Sequence, residues 1–312
     1  KPDVSYIQAV AKSLAPVLRK GNIVILESTS PVGTTERLAG WLAEARPDLS
    51  FPQQAGNDAD VQVAYCPERV LPGQVLKELV ENDRVIGGMS EKASAMAVEV
   101  YRVFVKGTLS VSNARTAEMC KLTENSFRDV NIAFANELSL ICDKLGIDVW
   151  ELISLANRHP RVNILQPGCG VGGHCIAVDP WFIVDTTPNE ARIIRTAREI
   201  NDYKPHWVLE KVKATITDVL AKSPDKRMKD ITVACLGLAF KPDIDDLRES
   251  PAVELTRMIA ELGCQVIAVE PNITSLPPAL AASNVSLGTL TEALAVADVP
   301  CLLVKHHEFK DN

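Results

Sequence analysis

Gly168-Cys169-Gly170-Val171-Gly172-Gly173-His174-Cys175-Ile176-Ala177-Val178-Asp179-Pro180 is the stretch on which the interpretation of this sequence depends. Its four glycines give a backbone that can adopt positive φ and let a ligand lie close against it. Cys175 follows them, and Asp179 lies four residues further on. Because a reactive thiol needs access and a nearby activating group, the stretch favours a cysteine nucleophile. A glycine-rich surface loop with a buried structural thiol fits the same residues.

The same stretch also contains the pattern G-x-G-x-x-G at Gly168, Gly170 and Gly173. As a dinucleotide fingerprint this pattern needs a strand before it, a helix after it and an acidic residue about 20 positions later. We expect Pro180 to interrupt whatever follows, so that no long helix starts at Gly173. The preceding apolar run, Val162–Leu165, is poor as a central strand. The sequence therefore does not predict a dinucleotide site here.

Composition excludes several classes of protein. The 312 residues carry a net charge of −7 and a pI of about 5.4, which argues against nucleic-acid binding. The apolar runs fall short of the roughly 18 residues that a membrane span needs. The eight cysteines form no C-x-x-C pair, so the sequence predicts neither a metal site nor a disulfide framework. Free thiols in that number are typical of the cytoplasm.

Before the glycine stretch, helical and strand patterns alternate. The apolar run Asn22–Leu26 is typical of a buried parallel strand. Further strands are predicted over 61–66, 84–88 and 108–111, and helices over Ser5–Lys20, Thr34–Ala45 and Lys92–Val105. This order is typical of a doubly wound α/β domain entered partway through, because the first βα unit, with its phosphate-binding glycine loop, is absent from these residues.

One long helix is predicted over Arg115–Leu145, ending at Gly146. Lys121, Asn125 and Arg128 are spaced i, i+4 and i+7, so they project from one side of it. This row of cation, amide and cation suits a substrate with phosphate or oxyanion groups. An exposed helix face with ordinary charges is the alternative.

Helices are also predicted over Val149–Asn157, before the glycine stretch, and over Glu190–Leu220, after it, the second partly interrupted at Pro205. The α/β rhythm then resumes after Asp230. The loop Gly237–Ser250 leaves the carboxyl end of a strand, where α/β sheets bind ligands, and Lys241 and Arg248 within it suit phosphates. Glu270, after the next strand, suits a nucleoside hydroxyl. The sequence thus predicts an α/β fold of three domains: an incomplete N-terminal Rossmann-type domain (1–112), a central helical domain (113–222) and a C-terminal Rossmann-like domain (223–312).

Five separated motifs resemble the UDP-sugar 6-dehydrogenases. They are Glu27–Thr34, Cys66–Gly73, Glu118–Asn125, Gly170–Asp179, and Gly237–Lys241 with Arg248–Ser250. Glu-Arg-Val at 68–70, His-Pro-Arg-Val at 159–162 and Gly-Gly-His-Cys at 172–175 are similar to the UDP-N-acetylhexosamine branch. Val178 stands where UDP-glucose dehydrogenases usually have a lysine.

The resemblance implies two successive NAD-dependent oxidations of the C6 alcohol to a carboxylate. Cys175 would attack the intermediate aldehyde to give a thiohemiacetal, which is oxidised to a thioester and hydrolysed. Lys121 and Asn125 resemble the pair that stabilises the oxyanion, and Asp179 resembles the residue that positions or activates water. Glu68 and Thr29 match positions that assist proton movement. Cys169 is the alternative nucleophile, but its distance from Asp179 and the motif both favour Cys175.

The resemblance also implies which residues bind the UDP-sugar and the cofactor, and how the protein assembles. A homodimer is expected, with Arg161 reaching into the neighbouring subunit, and the cofactor contacts are Thr29 and Arg248. No nucleic acid or membrane partner is expected. The implied substrate contacts are Arg69, Val70, Lys121, Asn125, Arg128, His159, Arg161, Gly172, Phe240 and Lys241.

Several functions stay open at this stage. The resemblance favours UDP-N-acetyl-D-mannosamine as the substrate, with UDP-glucose, UDP-N-acetylglucosamine or a GDP-sugar as alternatives. A nucleotide-sugar-binding or dimerisation module without catalysis is the alternative from another class. Because the first βα unit is absent from these 312 residues, we expect them alone to bind NAD very weakly and to turn over negligibly.

Overall fold

A computed structural model describes residues 2–70 and 75–309 of the chain. The chain divides into two compact units, Lys1–Ser126 with Asp179–Arg192, and Phe127–Val178 with Ile193–Asn312. Each unit contains its own four-stranded sheet, so the predicted α/β class is confirmed. Among the described residues, no helix is both long enough and apolar enough to cross a membrane.

The sheet of the first unit follows chain order. Its strands are β1 (Ile23–Leu26), β2 (Gln62–Tyr65), β3 (Arg84–Gly88) and β4 (Leu109–Asn113). Each overlaps a strand that the sequence predicts, and β2 is buried along its whole length. The outer pairs are parallel, but β2 and β3 pair antiparallel through Ala64 with Gly88 and Tyr65 with Gly87. The antiparallel pair is not predicted, because an apolar run does not report the direction of its strand.

Helices surround this sheet. They are α1 (Ser5–Leu14), α2 (Thr34–Ala45), α3 (Pro52–Ala55), α4 (Val75–Glu81) and α5 (Glu91–Arg102). α2 has the predicted bounds, and α5 begins after Ser90, whose Oγ accepts the N–H of Ala93 at 2.9 Å. α1 ends six residues before the predicted Lys20. Pro16 explains this difference, because proline cannot donate a helical hydrogen bond and its ring clashes with the preceding turn.

The long helix α6 (Ala114–Leu145) confirms the prediction to within one residue. α7 (Val149–Ala156) follows, and Asp148 caps it by accepting the N–H of Trp150 at 2.8 Å. α8 (Asp179–Thr186) then begins directly after the glycine stretch. As expected, no helix starts at Gly173, but Pro180 does not interrupt α8, since a proline in the first helical turn lacks only an N–H that has no partner in the helix.

α9 (Arg192–Lys222) runs through Pro205 without a break. The predicted interruption there is also wrong. A proline removes one backbone hydrogen bond, and the remaining bonds of a helix of 31 residues, together with burial of the proline ring, outweigh that loss.

The sheet of the second unit is entirely parallel, in the order β7-β6-β5-β8. Counted from its first strand this order is 3-2-1-4, the arrangement of Rossmann folds. Ser250 caps the first helix, as its Oγ accepts the N–H of Ala252 at 3.2 Å. The elements are β5 (Thr232–Leu236), α10 (Pro251–Ala260), β6 (Gln265–Val269), α11 (Pro278–Ala281), β7 (Val285–Leu287), α12 (Leu290–Val296) and β8 (Val299–Leu302).

Candidate active site

In the first unit, three predicted catalytic residues form what we call the polar cluster: Lys121, Asn125 and Asp179. Asn125 Nδ2 donates to Asp179 Oδ2 at 2.5 Å, and Asp179 is 4% exposed at the start of α8. Lys121 lies one turn before Asn125 on α6, half-buried, and makes no hydrogen bond or ion pair to the described residues. The cluster therefore offers an amide fixed by a carboxylate and a cation that is free to bind an anion.

Glu118 is a site residue that the sequence analysis missed. Although it is fully buried, its carboxylate accepts three hydrogen bonds: from Gly33 N at 2.6 Å, Thr35 N at 2.7 Å and Thr35 Oγ1 at 2.6 Å. These donors lie at the start of α2, where a negative charge is stabilising. Glu118 thus attaches the start of α6, which holds the polar cluster, to the loop after β1. The sequence signal that could have indicated such a partner is Gly33-Thr34-Thr35. Here a helix starts after a glycine, whose side chain cannot accept the first N–H groups of the helix.

The loop after β1 contains Thr29, which is half-buried. Its neighbour Ser30 is buried, and the Ser30 Oγ has no hydrogen-bond partner among the described residues. A buried hydroxyl without a partner costs free energy, so this loop suits a ligand that brings a polar group to it.

The loop after β2 is partly described. Glu68 folds back on its own loop, since its Oε1 accepts the N–H of Val70 at 2.6 Å. Arg69 forms an ion pair with Glu124, from Nη2 to Oε1 at 2.6 Å, so its charge is already offset by a carboxylate. Residues 71–73, the end of the Cys66–Gly73 motif, lie outside the described residues.

In the second unit, residues 168–175 form what we call the glycine loop, which contains neither helix nor strand. A β-carbon at Gly172 would lie 2.4 Å from the backbone oxygen of Glu249 and 2.6 Å from Pro251 Cδ. Gly173 has φ +84°, and a β-carbon there would lie 3.0 Å from the ring of Phe240. These glycines are needed because the loop packs directly against the Gly237–Ser250 loop and the start of α10.

The two cysteines of this region differ in accessibility. Cys175 is exposed in a turn that Val178 N closes on its backbone oxygen at 3.1 Å. Cys169 is half-buried, and burial of its sulfur raises the pKa of that thiol to about 11. Because the thiolate is the nucleophile, this difference favours Cys175 over Cys169.

The loop Gly237–Ser250 holds three predicted binding residues. The Lys241 Nζ lies 5.9 Å from the centre of the Phe240 ring, and both side chains are half-buried. Arg248 is exposed and binds Asp246, from Nη2 to Oδ2 at 2.7 Å. The hydrogen bond to Asp246 raises the pKa of Arg248 above its usual value.

Arg128, His159 and Arg161 are exposed in the second unit. Among the described residues, the side chains of Arg128 and Arg161 form no ion pair, and His159 Nδ1 accepts the backbone N–H of Arg161 at 3.3 Å. The two arginines are thus available to bind an anionic ligand.

The expected role of Glu270 toward a nucleoside hydroxyl stays a prediction. Its carboxylate is 4% exposed and is held within the unit, accepting the N–H groups of Leu238 at 2.7 Å and Ala239 at 3.0 Å. It also binds the Nε2 of His306 at 2.9 Å. The residue therefore fixes the turn after β5, and it also lines a cavity with Gly288 and Thr289.

Comparisons with known proteins agree over nearly the whole chain. Models of the UDP-glucose/GDP-mannose dehydrogenase family match as the NAD binding domain at residues 1–105, the central domain at 115–203 and the UDP binding domain at 234–312. UDP-N-acetyl-D-mannosamine dehydrogenase of Escherichia coli (strain K12) is 65% identical, over 99% of this chain and 74% of the relative. NDP-N-acetyl-D-galactosaminuronic acid dehydrogenase of Ralstonia nicotianae is 60% identical, over 99% of this chain and 71% of that relative. The solved structure of UDP-D-ManNAc dehydrogenase from Pyrococcus horikoshii superposes with a TM-score of 0.85 at 39% identity, over 100% of this chain and 69% of that one.

Proposed function

Because the chain belongs to the UDP-glucose/GDP-mannose dehydrogenase family, we propose that it oxidises the C6 alcohol of a UDP-N-acetylhexosamine to the carboxylate. We take UDP-N-acetyl-D-mannosamine as the substrate, since a relative with that activity in its name is 65% identical. The observation that supports the reaction best is the exposed thiol of Cys175 on a loop that leads directly to Asp179.

Cys175 is the proposed nucleophile. Its thiolate forms a bond to C6 of the aldehyde, and the carbonyl oxygen takes up a proton to give a thiohemiacetal. Oxidation of that carbon gives a thioester. Water then adds to the thioester carbon, the C–S bond breaks, and the carboxylate and the free thiol result. Holding the aldehyde on sulfur keeps it from leaving between the two oxidations.

The polar cluster supports this chemistry. Lys121 supplies a positive charge, and Asn125 an amide whose orientation Asp179 fixes at 2.5 Å. Both suit the negative charge that develops on the C6 oxygen, an effect worth a few kcal/mol for each preorganised donor. Asp179 is the proposed residue for positioning or activating water, and Glu68 and Thr29 assist proton movement.

NAD is the cofactor of this family, and the loop after β1 fits part of it. When bound, NAD accepts the hydride in each of the two oxidations. The buried Ser30 hydroxyl without a partner next to Thr29 suits a polar group of the cofactor. Thr29 and Arg248 are the residues that we propose to hold it.

The proposed contacts for the UDP-sugar include several cations that suit a diphosphate. Among them, Arg128 and Arg161 are exposed. Arg69 would break its ion pair with Glu124 in order to bind the substrate. The full proposed set is Arg69, Val70, Lys121, Asn125, Arg128, His159, Arg161, Gly172, Phe240 and Lys241.

A homodimer is proposed, with Arg161 contributed to the neighbouring subunit. Its support is an apolar stripe on α6, where Phe127, Phe134 and Ile141 recur every seven residues and are 71%, 52% and 46% exposed. We also propose domains at 1–112, 113–222 and 223–312. We also propose a cytoplasmic location, which fits the finding that none of the eight cysteines is joined in a disulfide.

Product analysis of the full-length protein tests the reaction. We expect two NADH for each UDP-N-acetyl-D-mannosamine that is converted to acid, and slower reaction with UDP-N-acetylglucosamine and UDP-glucose. A preference for UDP-glucose would overturn the proposed substrate.

Two matched cysteine variants test the nucleophile. Cys175→Ser should stop before the carboxylate, while Cys169→Ser, six residues earlier on the same loop, should still form acid. Unchanged acid formation by Cys175→Ser would remove Cys175 from the mechanism.

A further inference from the structure

Two buried asparagines connect the glycine loop to the interior of the second unit. Asn136 on α6 is fully buried, and its Oδ1 accepts the N–H of Gly168 at 2.9 Å. Its Nδ2 donates to Oδ1 of Asn201 on α9 at 2.8 Å. Asn201 is 1% exposed, and its Nδ2 donates to Asp129 Oδ1 at 2.8 Å.

Asp129 fixes the direction of this chain of hydrogen bonds. Its Oδ1 receives only N–H donors, from Asn201 and from the Arg198 Nη1 at 2.8 Å. Asn201 must therefore turn its amide nitrogen toward Asp129 and its oxygen toward Asn136. Asn136 must in turn direct its nitrogen at Asn201, which leaves its oxygen for the N–H of Gly168.

The glycine loop is then held at two places. The N–H of Gly168 is fixed by the hydrogen bond that it donates to Asn136, and Gly172 and Gly173 are fixed by packing against Pro251 and Phe240. Cys175 follows this second contact by two residues, so its position depends on both.

We propose that Asn136 is a positioning residue for the reaction, which holds the first residue of the loop that presents Cys175. This inference rests on the proposed function of Cys175 as the nucleophile. Asn136 does not touch the reacting atoms, and it acts through Gly168 and the backbone of the glycine loop.

Asn136→Leu tests this, because it keeps the volume of the side chain and removes both of its hydrogen bonds. In the full-length, NAD-loaded protein we expect kcat for acid formation to fall about tenfold or more, since small displacements of reacting groups are costly. KM for the UDP-sugar should stay within about threefold. The rate at which iodoacetamide alkylates Cys175 should differ about threefold from the wild-type rate, because the reactivity of a thiol depends on its surroundings.

Alkylation is read by mass spectrometry on the tryptic peptide of residues 162–192, in which fragment ions separate Cys175 from Cys169. This measurement needs no substrate. It therefore still tests Asn136 if the proposed substrate is wrong, whereas a wild-type protein that forms no acid would contradict the proposed function alone.

Asn201→Leu is the matched control. It removes three buried hydrogen bonds, to Asn136 and twice to Asp129, but the N–H of Gly168 still selects the Asn136 oxygen, because an amide nitrogen cannot accept it. We expect Asn201→Leu to unfold at a lower temperature than Asn136→Leu and yet to keep more activity. If Asn136→Leu does not fold, Asn136→Ser, whose hydroxyl is too short to reach Gly168, replaces it.

The proposal is overturned if the Asn136 variant keeps wild-type kcat and wild-type alkylation of Cys175. It is also overturned if the two variants lose activity in proportion to their loss of stability, because that is the result of a purely structural role.

Discussion

The polar cluster and the glycine loop hold their functional groups in opposite ways. In the polar cluster, Asn125 is oriented by a charged partner, Asp179, at 2.5 Å. In the glycine loop, the backbone is confined by close packing, with the backbone oxygen of Glu249 only 2.4 Å from the place of a β-carbon at Gly172. The cluster should thus be sensitive to changes of charge and the loop to added volume.

Replacing the hydrogen-bond donor of Asn125 with an acceptor should have the largest effect. Asn125→Asp replaces the donor to Asp179 with a second carboxylate, and two such groups at hydrogen-bond distance cannot both be ionised without repulsion. We expect kcat to fall about 100- to 1000-fold, the range for losing one preorganised donor. Steady-state kinetics of NADH formation measure it.

Asn131→Asp on the same helix is its control. Asn131 is half-buried, and its Nδ2 donates to the backbone oxygen of Phe127 at 2.6 Å, so the variant makes the same chemical change away from Asp179. It should retain kcat within about threefold. Equal losses in the two variants would show that added charge on α6, rather than the pair with Asp179, is responsible.

One methyl group in the glycine loop should be nearly as costly. Gly172→Ala places its β-carbon against the backbone oxygen of Glu249 and against Cδ of the rigid Pro251 ring. We expect the free energy of unfolding to fall by about 3 kcal/mol, and activity to fall with it. Urea denaturation measures the first, and Gly168→Ala is the control, since its nearest neighbour would be 3.8 Å away. If both variants have wild-type stability, close packing does not hold the loop.

Sequence patterns were sufficient for most of the fold. The strands of both sheets that carry apolar runs and the 115–145 helix follow from periodicity, which depends on neighbouring residues alone. The choice of Cys175 over Cys169 as the nucleophile stays a prediction, which the exposure of Cys175 and the burial of the Cys169 sulfur support.

What the patterns missed depends on residues far apart in the chain. Glu118 binds the start of α2, which lies more than 80 residues earlier, and Asn136 binds Asn201 across 65 residues. Glu270 was assigned to a ligand because it follows a strand, yet its partners Leu238 and His306 lie more than 30 residues away on either side. A buried polar group is satisfied by whichever partner the fold brings near, and local spacing does not report that partner.

Glu118 supports the polar cluster from the start of α6, and it too acts through a carboxylate rather than through close packing. Glu118→Ala leaves Gly33 N and both donors of Thr35 without an acceptor at the start of α2. We expect the free energy of unfolding to fall by about 2 to 3 kcal/mol, the cost of unpaired buried donors. Glu124→Ala on the same helix removes an exposed ion pair with Arg69 and should cost about 1 kcal/mol or less. Equal costs would mean that the buried bonds of Glu118 add nothing beyond a surface pair.

The smallest expected effect concerns Lys204, a buried lysine in the unit that contains the glycine loop. This lysine is 3% exposed, donates to Ser139 Oγ and lies 3.8 Å from the centre of the Trp207 ring. Burial lowers its pKa to about 8 from 10.5. Between these two values the unfolded chain binds more protons than the native protein, so the contribution of Lys204 to stability rises with pH.

Lys204→Met should remove that rise. From pH 7.5 to 9.5 the wild type should gain about 2 kcal/mol of unfolding free energy relative to the variant, as the shift in pKa requires. Urea denaturation at the two pH values measures the difference. Lys211→Met is the control, because Lys211 also faces the Trp207 ring, at 5.2 Å, but is exposed. If both variants keep the wild-type pH dependence, Lys204 titrates like a surface lysine and its burial does not contribute to the pH dependence of stability.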